Sequence, residues 1–299
     1  MRLMLPLLFL VQAAKPPTEA EFKKAEEKLS ANADDKDAHL VSGRYLAFVK
    51  DDWGAALPHL ANGSDAILKT AAEREAKGGD TIFDPVQIGD AWIAAAGKRP
   101  AMKLMLESRA TYWYAKAWDG DLGVLWKDRL RERLRKLAAP PVSGPARAAF
   151  SPEWVIEGKA ALDGAFAHSG RVSARVSKEA DPKLPYSCVR TTLFTVKPGQ
   201  KGTFSAWVMT DGTDGGEDRV TILFHDDKLK VAGSADVLVP GDEPWWRKVS
   251  GEFTVPAGAT RADFRFWILS KKGSGWVDDV CLTIDGRNLV KDGGFEESK

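Results

Sequence analysis

From Thr18 to about Ala138, apolar residues recur at three- and four-residue spacing; beyond Phe150 they alternate with polar ones. The first period is that of helices with one buried stripe, the second that of half-buried strands. Thr18 and Glu21 have the spacing of a capping box, in which hydroxyl and carboxylate each satisfy a backbone donor. Further helices are predicted over 36–50, 52–61, 64–77, 85–97, 99–118 and 122–138, punctuated by Gly63, Gly78, Gly79, Pro85, Pro100 and Gly120. Short turns between them predict an antiparallel array of helical hairpins. Strands are predicted over 154–156, 171–177, 187–196, 202–209, 219–225, 246–255, 262–269 and 277–284, with turns at Pro198-Gly199, Asp211-Gly212, Pro240-Gly241 and Gly273. Short strands so spaced form an antiparallel sandwich. The fold class is therefore two-domain, an all-α helical hairpin array followed by an all-β jelly-roll sandwich.

Between the two periods, AAPPVSGPARAA carries three prolines and no apolar period, so 139–149 reads as a semi-rigid linker. This places a helical domain over 15–138 and the sandwich over 150–299. At the start of the chain Arg2 precedes the apolar run Leu3 to Val11 and the small residues Ala13 and Ala14, the order of a secretory signal peptide over 1–14. An uncleaved N-terminal anchor is the other reading; the run is too short to span a bilayer. The expected location is secreted, periplasmic or cell-surface, with no membrane span after cleavage.

A formal net charge of +1 argues against a nucleic-acid surface, which needs a concentrated basic field. In the basic run Lys127 to Lys136, Trp126, Leu130, Leu134 and Leu137 share one helical face while Arg131, Glu132, Arg135 and Lys136 lie elsewhere, the pattern of a solvated amphipathic helix.

Two helical segments, VSGRYLAFVKDDWGAALPHLANG (41–63) and ESRATYWYAKAW (107–118), resemble tetratricopeptide or Sel1-like units. In the first, Gly43 would allow close helix approach, with Trp53 and Ala56 opening the second helix. In the second, Ala110, Tyr112, Trp113, Tyr114 and Ala117 look like the second helix of such a unit. A clean 34-residue period is lacking. The resemblance implies a protein partner for this half, while core packing is the plainer role of Tyr112, Trp113 and Tyr114.

In the β half, AHSGRVSARV (167–176), KPGQKGTFSAWV (197–208), WWRKVSGEFTVPAG (245–258) and GWVDDVCLTI (275–284) stand in an order that resembles the galactose-binding-like jelly roll, particularly carbohydrate-binding modules of families four and nine. NLVKDGGFEE (288–297) looks like the strand that opens such a module, moved to the end. That implies either an ordered strand beside the first one or a remnant of a further module. The resemblance also implies a glycan partner and a structural calcium ion held by Asp163, Asp279 and Glu296 with carbonyls near His168, a hard cation requiring oxygen donors. Turn and capping chemistry is the other role open to these acids.

Alternation bears on the binding face. If Phe204, Ala206 and Val208 point inward, Trp207 points outward; if Phe264, Phe266 and Ile268 point inward, Arg265 and Trp267 share the opposite face. Trp207, Arg265 and Trp267 are thus the candidate sugar platform, a flat ring for C–H faces beside a hydrogen-bonding fork, with Arg190 and His225 lining the same groove. Trp246 and Trp276 read as core. Cys188 and Cys281 are the only cysteines, and a disulfide and two thiols are both open.

No nucleophile, base and orienting group stand at recognisable spacing. His39, His59, His168 and His225 are scattered singly, and the acid pairs Asp226/Asp227, Asp278/Asp279 and Glu296/Glu297 are sequence neighbours. Strand neighbours point to opposite faces, so they would not flank one glycosidic bond. The expected function is a secreted, non-catalytic binding protein, with glycan on the sandwich and protein on the helices. The alternative is a cell-envelope structural or assembly protein in which both halves contact protein and no sugar binds.

Overall fold

The computed structural model describes residues 15–139, 149–178, 186–214 and 217–296. The signal-like segment 1–14 and the prolines of the linker lie outside them. The chain divides into two compact units, one ending at Leu130 and one beginning at Arg131.

The first unit is helical: α1 (Glu19–Ala31), α2 (Lys36–Phe48), α3 (Trp53–Asn62), α4 (Ala66–Lys77), α5 (Asp84–Lys98) and α6 (Lys103–Trp118), followed by the start of α7 (Val124–Leu137). The capping box at Thr18 forms, with the Thr18 amide donating to Glu21 at 2.7 Å and the Glu21 amide returning a bond to the hydroxyl. Asp35, Asp52 and Asp65 cap α2, α3 and α4 by accepting first-turn amides. The predicted 99–118 helix opens instead as a 3₁₀ turn over Pro100–Met102, where proline sets the first turn. Gly43 permits the α2–α3 approach: a Cβ there would stand 2.8 Å from the Leu60 side chain.

Of the aromatic residues of α6 read as core, Tyr114 is buried and Trp113 half-buried, but Tyr112 is 52% exposed and is not core. The Tyr114 hydroxyl donates to Asp90 at 2.6 Å. Buried Glu75 of α4 accepts the indole N–H of Trp92 at 2.7 Å and of Trp113 at 2.9 Å and pairs with Arg109. The Arg109 guanidinium lies 4.4 Å from the Trp53 ring centroid and 4.5 Å from that of Tyr112. The helices also pair two histidines that look solitary in sequence. His39 Nδ1 and His59 Nδ1 lie 2.9 Å apart, while His39 Nε2 faces the Ala33 carbonyl at 2.9 Å. A carbonyl only accepts, so His39 carries its proton on Nε2 and takes a bond from His59 Nδ1–H.

The second unit is a sandwich of two antiparallel sheets. The first has the order β1 (Trp154–Glu157), β4 (Ser187–Thr191), β10 (Arg261–Ile268), β7 (Arg219–His225), β8 (Val231–Leu238), with β5 (Phe194–Thr195) on β10. The second has the order β2 (Ala160–Asp163), β3 (Ser173–Ser177), β11 (Ser274–Ile284), β6 (Lys201–Asp211), β9 (Arg247–Thr254), with β12 (Arg287–Asn288) on β11. Phe204, Ala206 and Val208 meet Phe264, Phe266 and Ile268 in the core between them, as alternation predicts. β2 and β8 escape prediction because AALD and VAGSADVL lack the run of β-branched and aromatic residues that marks a strand.

Three expectations are corrected. Of the two tryptophans read as core, Trp276 is buried in a small core cluster with Met209 and Ala138, whereas Trp246 is only half-buried against it. Arg131 and Arg135 are not a solvated helix face: Arg131 bonds Asp211 at 2.6 Å and Asp242 at 2.8 Å, and Arg135 also bonds Asp211. The tail is ordered, but its only strand is Arg287–Asn288. Beyond it Gly293, Gly294 and the left-handed Phe295 (φ 58°) turn the chain, burying Val290 and Phe295 in the core. Trp154 of β1 donates its indole N–H to the Asp292 carbonyl at 3.0 Å, and Val280 of β11 donates to that of Gly293 at 2.9 Å.

Candidate functional site

Strand pairing decides which predicted site residues meet. On the face of the first sheet turned away from the core, Arg265 stands opposite Arg190 on β4 and Thr221 on β7, and Trp267 stands opposite Cys188 and Arg219. His225 belongs to the same face at the far end of β7. Trp207 does not: it sits on β6 of the second sheet, so the sandwich core separates it from Trp267. Strand parity gives the direction of each side chain correctly but is silent on which sheet a strand joins, and the three-residue platform is overturned on that ground.

The face that does form is polar and aromatic. The guanidinium of Arg265 lies 5.0 Å from the Trp267 centroid, and the Tyr186 ring meets Trp267 edge-on at 4.7 Å. Asp263 receives Arg265 Nε at 2.5 Å and lies 3.3 Å from His225 Nε2, whose partner nitrogen Nδ1 is buried without a hydrogen bond. Glu157 of β1 accepts Arg190 Nε at 2.6 Å and the Tyr186 hydroxyl at 3.2 Å. Burial pushes the Glu157 carboxyl up, but Arg190, Arg265 and Tyr186 outweigh it and hold the group below its ordinary value. Tyr186, Glu157 and Asp263 are the members that sequence reasoning missed. Glu157 ends a short edge strand and Asp263 alternates with core aromatics, which was the one available signal.

A second cluster lies where the tail meets the loop His168–Arg171. Register slips between Asp278 and Cys281, and Asp279 adopts a left-handed φ of 47°. Such a bulge re-aims side chains, and both acids reach the same dipeptide. Asp278 accepts the amides of His168 at 2.9 Å and Ser169 at 3.1 Å, while Asp279 bonds His168 Nδ1 at 2.6 Å and the Ser169 hydroxyl at 2.7 Å. The expectation that these neighbours point apart is thereby corrected. Burial and the charge of Asp279 push the Asp278 carboxyl up to about 8, against the pull of three amide donors; the His168 bond holds Asp279 down. The His168 ring stacks on Trp207 with centroids 3.7 Å apart and planes within 12°, which occupies that indole face.

Each acid expected to hold calcium has hydrogen-bond donors of its own. Asp163 accepts the Trp276 indole at 2.8 Å and the Ala165 amide at 2.7 Å. Glu296 accepts the amides of Arg171 and Val172, the latter at 3.0 Å, packed against Gly170 so tightly that a Cβ would stand 2.2 Å from its Oε1. Among the described residues no three His, Cys, Asp or Glu side chains are grouped as metal ligands. Cys188 and Cys281 lie in different sheets and are both thiols; burial pushes the Cys188 thiol up.

The family model for a carbohydrate binding domain matches residues 152–272, within the sandwich and short of half the chain. No curated protein matches. Among solved structures, the CBM22-1 xylan-binding domain of Paenibacillus barcinonensis Xyn10C is 14% identical, with a TM-score of 0.36, over 46% of this chain and 89% of that one. A family 61 module in complex with β-1,4-galactotriose is 16% identical, with a TM-score of 0.31, over 46% of this chain and 92% of that one. The enzymatically active domain of bacteriophage CBA120 tailspike protein 4 is 16% identical, with a TM-score of 0.35, over 44% of this chain; the match spans only 19% of that protein. These overlaps are partial, and what each protein binds is a property of that protein.

Proposed function

We propose that this is a secreted, non-catalytic binding protein whose sandwich takes a glycan on the outer face of the first sheet. The observation that carries it is the half-buried Trp267 ring set beside Arg265 and Arg190, on the domain that the family model matches. A pyranose presents apolar C–H faces and a rim of hydroxyls; the indole suits the first, the guanidinium groups, Glu157 and His225 the second. Non-catalysis is supported by Glu157, whose carboxyl is held below its ordinary value by Arg190, Arg265 and Tyr186 and so accepts hydrogen bonds instead of giving up a proton. The helical unit, with its tetratricopeptide-like segments, would carry the protein contact. The test is retardation of the full chain in native gels containing plant, algal or bacterial polysaccharides. Slowed migration in one of them supports the reading; unchanged migration in all of them overturns it.

A second reading has its own observation. Arg190, Arg265 and His225 already have carboxylate partners on this face, which a purely structural surface would also show. A cell-envelope assembly protein would then use both units for protein contacts, and would pass through every polysaccharide gel unretarded while retaining a protein partner on an affinity matrix.

A further inference from the structure

Each sheet of the sandwich ends in two edge strands, whose outward N–H and C=O groups are a template for another strand. Three of the four are blunted. β1 and β2 have four residues each. β9 has eight but exposes Arg247, Lys248 and Glu252. β8 also has eight, VAGSADVL, with no proline, no lysine or arginine, and one acid, Asp236. Its end residues Val231 and Leu238 are 65% and 60% exposed, above every other large apolar residue described in this unit.

Pairing with β7 shows which way each β8 residue points. Leu238 stands opposite Arg219, Asp236 opposite Thr221 and Ser234 opposite Leu223; after a register shift Val231 stands opposite His225. Val220, Ile222 and Phe224 of β7 face the core, so their alternates, and the β8 residues opposite them, face outward. Ala232, Ala235 and Val237 pack toward the core.

We infer that β8 is a self-pairing edge: a second copy of this chain adds its β8 antiparallel, about a two-fold axis through Ala235. In that register Ala235 meets its own copy, Ser234 meets Asp236, Ala232 meets Val237 across the bulge at Gly233, and Val231 meets Leu238. Inward residues oppose inward ones and outward oppose outward at every pair. Neighbouring registers fail on their own terms. An axis between Ser234 and Ala235 sets an outward residue against an inward one, and a slip of one residue flips side chains to the wrong face. An axis through Asp236 puts two carboxylates directly opposite, which is destabilising. Any residue-centred two-fold sets inward against inward; what is particular to β8 is that its two exposed apolar ends then meet each other and its one acid meets a serine, an isologous match that a second copy supplies.

The mass of the full chain by light scattering after size exclusion should be that of a dimer toward the upper end of a series from about 1 to 100 µM, the range in which small interfaces assemble. The variant V231K/L238K, both positions exposed, should be monomeric throughout with its melting curve unchanged. Register is read by cysteine pairing: Ser234→Cys mixed with Asp236→Cys under mild oxidation should give a covalent dimer, whereas either variant alone should give no more than the unsubstituted chain. A monomeric wild-type chain at every concentration, a dimer that survives V231K/L238K, or cross-linking by Ser234→Cys alone would overturn the inference.

Discussion

Arg265 and Trp267 stand two residues apart on one strand, the guanidinium 5.0 Å from the ring centroid, on the face turned away from the hydrophobic core, Arg265 buried and Trp267 half-buried. Their neighbour Phe266 is in that core. The strand therefore divides between core packing on one side and a polar and aromatic face on the other.

Trp267→Ala should remove the retardation of the full chain by whichever polysaccharide slows it, while costing only about 1 kcal/mol of stability, as substitutions outside the core do. Phe266→Ala should do the reverse, costing about 3 to 5 kcal/mol through a core cavity. A Trp267→Ala chain as destabilised as Phe266→Ala would make Trp267 a packing residue and remove the platform.

Much of this architecture is legible in the sequence. The capping box at Thr18, the switch from helical to alternating period and the inward set Phe204, Phe264 and Phe266 follow from local geometry. The candidate site is less legible, because it depends on which strands become neighbours. Trp207 and Trp267 both alternate with core residues, yet their strands join different sheets. His39 and His59 are twenty positions apart, and nothing in the spacing announces a head-to-head contact that arises from the packing of α2 on α3. Asp278 and Asp279 look opposed because alternation assumes an unbroken strand, and the bulge that redirects them is written in no residue preference.

The histidine pair gives the helical unit an acid limit. Burial, with a smaller contribution from His39 and some opposition from Glu26, holds His59 below its ordinary value. A lowered folded value means the unfolded chain takes up the proton first, so stability is intact above about pH 6.5 and falls as the pH drops through the folded value. A second proton would also set two N–H groups against each other across 2.9 Å. The melting temperature of the helical transition should fall between pH 7 and pH 5, and His59→Gln, which keeps a donor toward His39, should flatten that dependence. Equal slopes in the two proteins would assign the acid sensitivity elsewhere.

Arg109→Ala should be the most damaging single change in the helical unit. It leaves the Glu75 carboxylate, 2% exposed at its side chain, without its counter-charge and strips Trp53 and Tyr112 of the cation between them. Removing one partner of a buried pair costs about 3 to 5 kcal/mol. Arg109→Met, which keeps the volume but not the charge, should recover little, whereas Arg109→Met with Glu75→Gln should recover more, since the amide still accepts an indole N–H. Urea unfolding of the three variants distinguishes charge from packing; equal losses in all three would make packing the whole effect.

The tail gives the sharpest test of the sandwich. Phe295 is 1% exposed, its ring 4.6 Å from that of Trp154 and 6.0 Å from that of Phe150. Removing everything after Asp285 would expose that pocket, take the Asp292 carbonyl from the Trp154 indole and release the Arg171 and Val172 amides from Glu296. Phe295→Ala alone should cost about 3 to 5 kcal/mol, and the truncation more, because it adds unsatisfied polar groups to the cavity. Leu289→Ala, at a position 37% exposed, should change stability little. Chemical unfolding followed by tryptophan fluorescence, with Trp154 at the lesion, reads all three; a truncated chain as stable as the full one would show that the tail merely covers a core already complete without it.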